Sequence, residues 1–285
     1  MVQANTIDAG LGTKPVPRLA LTMSVPTIVA QAANAFVHDH RRLFIGHIPE
    51  VGNAAMTGVG ICFPILLAVT AFASLIGAGG APRASIELGR GNFKKAERIL
   101  GTSAAFLIAI ALTLTVLLQL AKRPILYAFG ASDATIEYAV DFITIYLIGT
   151  VFVQLTLGLN NFISAQGKTT VAMVSVLIGT GISILLDPVF IFVFGWGVRG
   201  AAAANVLAQL VSTIWIVLFL SSGRSAIRLR PLNIRFDRII IRAGARSGTL
   251  HHADHRMPDQ RGVQRGACNA TAATITSRRS PSSLR

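Results

Sequence analysis

One carboxylate lies deep in an otherwise strongly apolar part of the sequence. Asp187 stands in the run Ser183-Ile-Leu-Leu-Asp187-Pro188, and it is the only acidic residue deep within any of the long apolar stretches. An ionisable group in hydrocarbon is energetically costly, so it usually faces a water-filled cavity or a partner. Ser183, four residues earlier, shares its helical face and offers a hydroxyl. Asp187 is therefore the first candidate functional residue, and hydrogen bonding for packing alone is the alternative.

Six apolar stretches would have to position these residues. The chain has 285 residues, of which 52% are hydrophobic, and each stretch is close to the ~20 residues that a helix needs to cross a bilayer. They are 19–37, 57–75, 102–120, 142–163, 171–194 and 201–220. The sequence predicts an all-α membrane protein with a six-transmembrane-helix bundle at 19–220. A cytoplasmic arm at 1–18 would precede the bundle, and a basic cytoplasmic connection at 221–243 would follow it.

The positive charges lie mostly in alternate connections between these stretches. One set is Lys14, Arg18, Arg83, Arg90, Lys94, Lys95, Arg98, Lys168, Arg224, Arg228, Arg230, Arg235, Arg238 and Arg242, and the other is Arg41, Arg42, Lys122, Arg123 and Arg199. Short cytoplasmic loops carry the excess of Lys and Arg, so we expect a cytoplasmic amino terminus. Binding to lipid phosphates is compatible with this topology. Because no aromatic residues are interleaved to stack bases, the net charge of +14 does not indicate a nucleic-acid partner.

The tail at 244–285 departs abruptly from the apolar chain before it. It lacks aromatic residues, Lys and Glu, yet it holds seven arginines. With permitted synonymous codons, a reading frame shifted by one base turns much of this tail into an apolar, helix-like sequence. The composition therefore predicts a frame-shifted, disordered tail at 244–285. A genuine basic cytoplasmic tail that is disordered and touches anionic lipid is the alternative.

A second charged window, His38-Asp-His-Arg-Arg42, follows the first apolar stretch directly. A local frame slip could also produce it. The competing interpretation is a His and Asp cluster for metal binding or proton relay, since imidazoles titrate near neutrality and ligate metals. Two histidines at a spacing of two do not share a helical face, which argues against that cluster. Two cysteines, Cys62 and Cys268, indicate neither a metal site nor a disulfide framework.

Several short motifs carry a family resemblance from Leu11 to about Ala243. They are Leu19-Ala-Leu-Thr-Met-Ser-Val-Pro26, Leu43-Phe-Ile-Gly-His-Ile-Pro49, Gly77-Ala-Gly-Gly-Ala-Pro-Arg83 with Gly89-Arg-Gly91, Ile163-Ser-Ala-Gln-Gly167, Leu186-Asp-Pro-Val-Phe-Ile-Phe192 and Gly197-Val-Arg-Gly-Ala-Ala202. In this order the sequence resembles the multidrug and toxic compound extrusion (MATE) family. The resemblance implies one lobe of a twelve-helix, two-lobe antiporter in the cell membrane. Such an antiporter exports drugs or small organic cations and is driven by Na⁺ or H⁺, with no other cofactor.

The resemblance also implies roles for individual residues. Asp187 matches the family's acidic residue on the fifth helix, where a carboxylate couples cation or proton binding to transport, and Ser183 could add an oxygen ligand. Arg41 stands where the first helix of the family carries an Asp, so a fixed positive charge would replace a cation ligand. Pro26 permits a bend in the first helix. Uncharged polar groups could line a drug path or bond helix to helix: Gln31, Asn34, Gln154 and Asn160.

Other functions stay open at this level. A lipid-linked sugar flippase would need a row of intramembrane Arg and Lys, which the apolar stretches lack. A membrane-embedded enzyme would need converging nucleophiles, acids or metal ligands, and outside the two suspect windows only Asp187 offers such chemistry. A non-functional gene remnant, truncated by a frameshift and lacking the second six-helix lobe, is a further alternative. The run from Gly77 to Gly80 with Pro82 predicts a helix end and a turn.

Overall fold

The computed structural model describes residues 16–48, 51–223 and 225–229, without the side chains of residues 16–20 and 38. This part of the chain is helical, as the sequence predicts. The helices are α1 Val16–Gly46, α2 Gly52–Ile61, α3 Phe63–Gly89, α4 Phe93–Ala128, α5 Ile136–Ile148, α6 Thr150–Ala165, α7 Thr169–Pro188 and α8 Gly197–Ser221, and a π-helical segment Val189–Val193 continues α7. The tail at 244–285, on which the frame-shift prediction rests, lies outside the described residues.

Most of the predicted spans coincide with helices that are long and apolar enough to cross a membrane. Four such helices lie at Gly52–Gly89, Phe93–Ala128, Thr169–Val193 and Gly197–Ser221, and the α5–α6 pair counts as a fifth if the two are one bent span. The first predicted span lies within α1, which is not one of these helices. The charged window at 38–42 does not interrupt α1, which stays helical to Gly46.

The fourth predicted span, 142–163, is not one straight helix. It is divided at Gly149 between α5 and α6, which meet at an angle of 56°. A β-carbon at Gly149 would collide with the side chain of Val206 on α8. A glycine is therefore required where α8 packs closely against the bend.

The predicted helix end at Gly77–Gly80 is wrong, because α3 continues to Gly89. A β-carbon on Gly77 would collide with Asn161 of α6, and one on Gly80 would lie 2.7 Å from atoms of Phe162 and Ser103. These glycines lie in close contacts of α3 with α6 and α4. Small residues at helix contacts are the usual means by which membrane helices pack closely.

The buried core and the apolar surface also fit a membrane bundle. A cluster of buried apolar side chains surrounds α5, where Phe142, Ile143 and Leu147 are almost fully buried. Many large apolar side chains remain exposed on the outside, among them Leu120 and Val193. An apolar exterior of this kind is expected of helices that face lipid.

Candidate ion-coupling site and polar groove

Asp187 lies where the regular part of α7 ends. Pro188 follows it and cannot donate a backbone hydrogen bond, and the chain continues as the π-helical segment Val189–Val193. Such π turns occur frequently at functional sites. The side chain of Asp187 is completely buried, and that of Ser183 nearly so. Ser183 Oγ donates a 3.4 Å hydrogen bond to Asp187 Oδ2, so the two residues do share one face of α7, as their spacing predicts.

Arg41 reaches this face from α1. Its Nε lies 3.4 Å from Asp187 Oδ2, and its Nη2 donates to Ser183 Oγ at 2.6 Å and to Asn205 Oδ1 at 3.2 Å. Arg41 as a whole residue is only 5% exposed. The buried polar cluster of Arg41, Ser183, Asp187 and Asn205 thus joins α1, α7 and α8.

The cluster is electrically balanced, with one guanidinium against one carboxylate. The contact between Arg41 and Asp187 exceeds the 2.7–2.9 Å typical of a short charge-assisted hydrogen bond, and the short contact of Arg41 is the one to Ser183. The attraction between the two charges is therefore mainly Coulombic. A cation bound to Asp187 would have to compete with a positive charge that the protein itself supplies.

A polar groove lies between α1, α6 and α7, and Ser74 of α3 also lines it. It has a volume of about 190 Å³, and Pro26, Gln31, Asn34 and Asn160 are among the residues that line it. Amide and hydroxyl groups are interspersed with apolar side chains, and no lining residue among the described ones is charged. Such a groove suits a ligand with an apolar body and a few hydrogen-bonding groups.

The structure separates one predicted residue from this groove. Gln154 is fully buried, its Nε2 donates to the carbonyl of Val69 on α3 at 2.9 Å, and its Oε1 has no partner among the described residues. Asn160 lines the groove and also bonds helix to helix, since its side-chain oxygen accepts a 3.2 Å hydrogen bond from Ser175 on α7. Pro26 lies inside α1, which is helical on both sides of it.

Asn205 is a site residue that the sequence reasoning missed. It is one of two amide residues in the apolar stretch 201–220, with Gln209 four residues later, and this signal could have drawn attention to it. Within the described residues no group of three or more His, Cys, Asp or Glu side chains could hold a metal ion. In the same part of the chain Arg41 is the only buried Lys or Arg, so the row of intramembrane cations that a flippase would need is not found there.

Comparisons with known proteins agree on one family. The MatE family model matches residues 19–189. The chain is 26% identical over 198 residues to the multidrug export protein MepA of Staphylococcus haemolyticus, which covers 70% of this chain and 43% of that protein. The chain spans about half the length of the curated relatives it matches.

Solved structures with the same fold include MATE transporters in different conformations. A MATE crystal structure in the bent conformation has a TM-score of 0.74 and 22% identity, covering 82% of this chain and 52% of that one. An outward-facing multidrug resistance MATE transporter has a TM-score of 0.77 and 20% identity, covering 86% and 54%. At these identities the likeness concerns the fold alone.

Proposed function

The chain belongs to the MatE family, and we propose that it forms the amino-terminal lobe of an antiporter that exports organic compounds from the cell in exchange for Na⁺ or H⁺. The family model covers more than half of the chain, and a relative that it resembles is named as a multidrug export protein. The proposed substrates are drugs or small organic cations. As a lobe of a transporter the chain would have no enzymatic activity, and a second six-helix lobe would complete the substrate cavity.

The polar groove carries this proposal. It lies beside α7, which is long and apolar enough to cross a bilayer, and beside α6, which is so together with α5. It presents amides and hydroxyls, whereas a lipid-facing surface would be apolar. Buried polar groups within a membrane mark substrate or ion pathways. Pro26, Gln31, Asn34 and Asn160 would then form part of the substrate path on the side of this lobe, whereas Gln154 would serve packing between α3 and α6.

Asp187 is the proposed ion site, and the charge of Arg41 determines whether a cation can bind there. A carboxylate couples transport to an ion only if a proton or Na⁺ can bind to it and leave again. In this chain the Arg41 guanidinium lies against Asp187, and its charge does not dissociate because arginine keeps its proton in proteins. We therefore infer that the chain as it stands does not drive cation-coupled efflux.

Ion binding to the purified chain tests this inference without a second lobe. The parent should show no saturable binding of radioactive Na⁺, Arg41→Gln should gain it, and the double variant Arg41→Gln with Asp187→Asn should lose it again. A pH-sensitive dye makes the same comparison for H⁺. Equal ion binding by the parent and by Arg41→Gln would show that Arg41 does not block the site.

Dye efflux tests the inference that this chain alone does not drive cation-coupled efflux. Cells that express only this chain should retain ethidium as cells with an empty vector do, at a protein level verified by blotting. Ethidium efflux that depends on a Na⁺ or H⁺ gradient would overturn the inference that the chain is inactive as it stands.

The proposed orientation places the amino terminus in the cytoplasm of a cell with this protein in its plasma membrane. The support is the distribution of Lys and Arg between alternate loops. In a Cys268→Ser background, Arg123→Cys should react with an impermeant thiol reagent in intact cells, and Lys95→Cys only after permeabilisation. The opposite labelling pattern would reverse the orientation. Cys62 is buried and should stay unlabelled.

A further inference from the structure

A small cavity lies beside two adjacent arginines, away from the polar groove. It has a volume of about 40 Å³ and lies between α1, α2, α3 and α5. Arg41 and Arg42 are its only charged lining residues among the described ones, and Met56, Phe63 and Phe142 are among its other walls. The cavity therefore combines two guanidinium groups with largely apolar surroundings.

The hydrogen-bond donors of these two side chains are only partly used. Arg41 bonds to the buried polar cluster through Nε and Nη2, so these bonds leave the two N–H groups of Nη1 for another acceptor. The guanidinium of Arg42 lies 5.8 Å from the ring centroid of Phe63, and no carboxylate of the described residues forms an ion pair with it. A guanidinium offers five N–H donors and no acceptor.

The local charge is also uncompensated. The cavity is lined by two positive charges, and within the described residues the only carboxylate paired with either of them is that of Asp187. One positive charge, that of the exposed Arg42, thus remains beside an apolar wall and attracts an ion of opposite charge.

We propose that this cavity binds one small monovalent anion of the chloride type between Arg41 and Arg42. The volume fits such an ion, because one water needs about 10–15 Å³ of this kind of space. The cavity thus has room for about three waters, or for one halide with a water. The apolar wall favours weakly hydrated anions such as bromide and chloride over the strongly hydrated, divalent sulfate. The site does not depend on the proposed transport activity.

The stability of the purified chain in different sodium salts tests the proposal. The unfolding temperature is measured in a detergent without phosphate, at constant ionic strength, while gluconate is replaced stepwise by chloride, bromide or sulfate. Anything that binds the folded state alone stabilises it in a saturable manner. We expect a saturable rise in unfolding temperature with chloride and bromide, and none with sulfate.

Two exposed arginines separate a specific site from a general salt effect. Arg42→Gln should weaken bromide binding, so that the half-saturating concentration of bromide rises at least tenfold. Arg123→Gln removes an exposed guanidinium that does not line the cavity, and it should leave the bromide response unchanged. Arg42 is exposed, so its replacement should not prevent folding. Equal responses in all salts, or an unchanged bromide response in Arg42→Gln, would overturn the proposal.

Discussion

Replacing Arg41 by Gln and Asp187 by Asn, singly and together, measures how strongly these buried groups interact. At their separation of 3.4 Å, two unit charges attract each other by roughly 5 kcal/mol at an effective dielectric constant of about 20. Desolvation offsets part of this attraction, and removing one partner of a buried pair costs about 3–5 kcal/mol. We expect each single replacement to lower the unfolding free energy by about 3 kcal/mol, because it leaves a buried charge unpaired.

The double replacement should lower the unfolding free energy by much less than the sum of the two single replacements. Both charges are then removed and neither is left unpaired, so the coupling energy should be about 2 kcal/mol or more. The assay is denaturant unfolding in detergent micelles, followed by the helical circular dichroism signal.

A matched control is the exposed pair of Arg123 and Glu137, which lie 2.9 Å apart on the surface. The same cycle with Arg123→Gln and Glu137→Gln should give a coupling energy below about 1 kcal/mol, because water screens exposed pairs. A coupling energy between Arg41 and Asp187 no larger than that of the control would refute the view that burial makes this pair strong.

Three further predictions concern the ion site, the helix packing and the groove. In a frame-corrected version, which restores the second lobe and no longer has Arg41 beside Asp187, Asp187→Asn should abolish gradient-driven dye efflux at equal protein level, because the amide keeps the shape and loses the charge; undiminished efflux would show that the coupling site lies elsewhere. Gly80→Ala should lower the unfolding free energy by about 1–3 kcal/mol through overpacking against Phe162, whereas Gly79→Ala, which meets open space, should not; equal effects on thermal unfolding would contradict this. Asn34→Leu should weaken ethidium binding to the purified chain roughly fivefold, which corresponds to the loss of one hydrogen bond of about 1 kcal/mol. Fluorescence titration measures this affinity, and unchanged binding would show that Asn34 does not contact the substrate.

The position and apolar character of several helices could be predicted from the sequence because they depend on local composition, whereas their full length could not, since α4 has 36 residues. Stretches such as 102–120 and 201–220 are apolar over a bilayer's thickness, and both lie within single helices, α4 and α8. Whether a glycine ends a helix does not follow from local composition. Gly80 lies within a helix and Gly149 lies at a break between two, and the difference depends on which neighbour approaches each glycine.

The candidate site was predictable only in the part that lies on one helix. Ser183 and Asp187 are four residues apart, so their shared face follows from helical periodicity alone. Arg41 contacts Ser183 and Asn205 across separations of 142 and 164 residues along the chain, and no local pattern encodes such contacts. The sequence by itself determined an apolar helical chain with one deep carboxylate. Only the tertiary structure decided that a buried arginine faces that carboxylate, because the packing of α1 and α8 against α7 brings these side chains together.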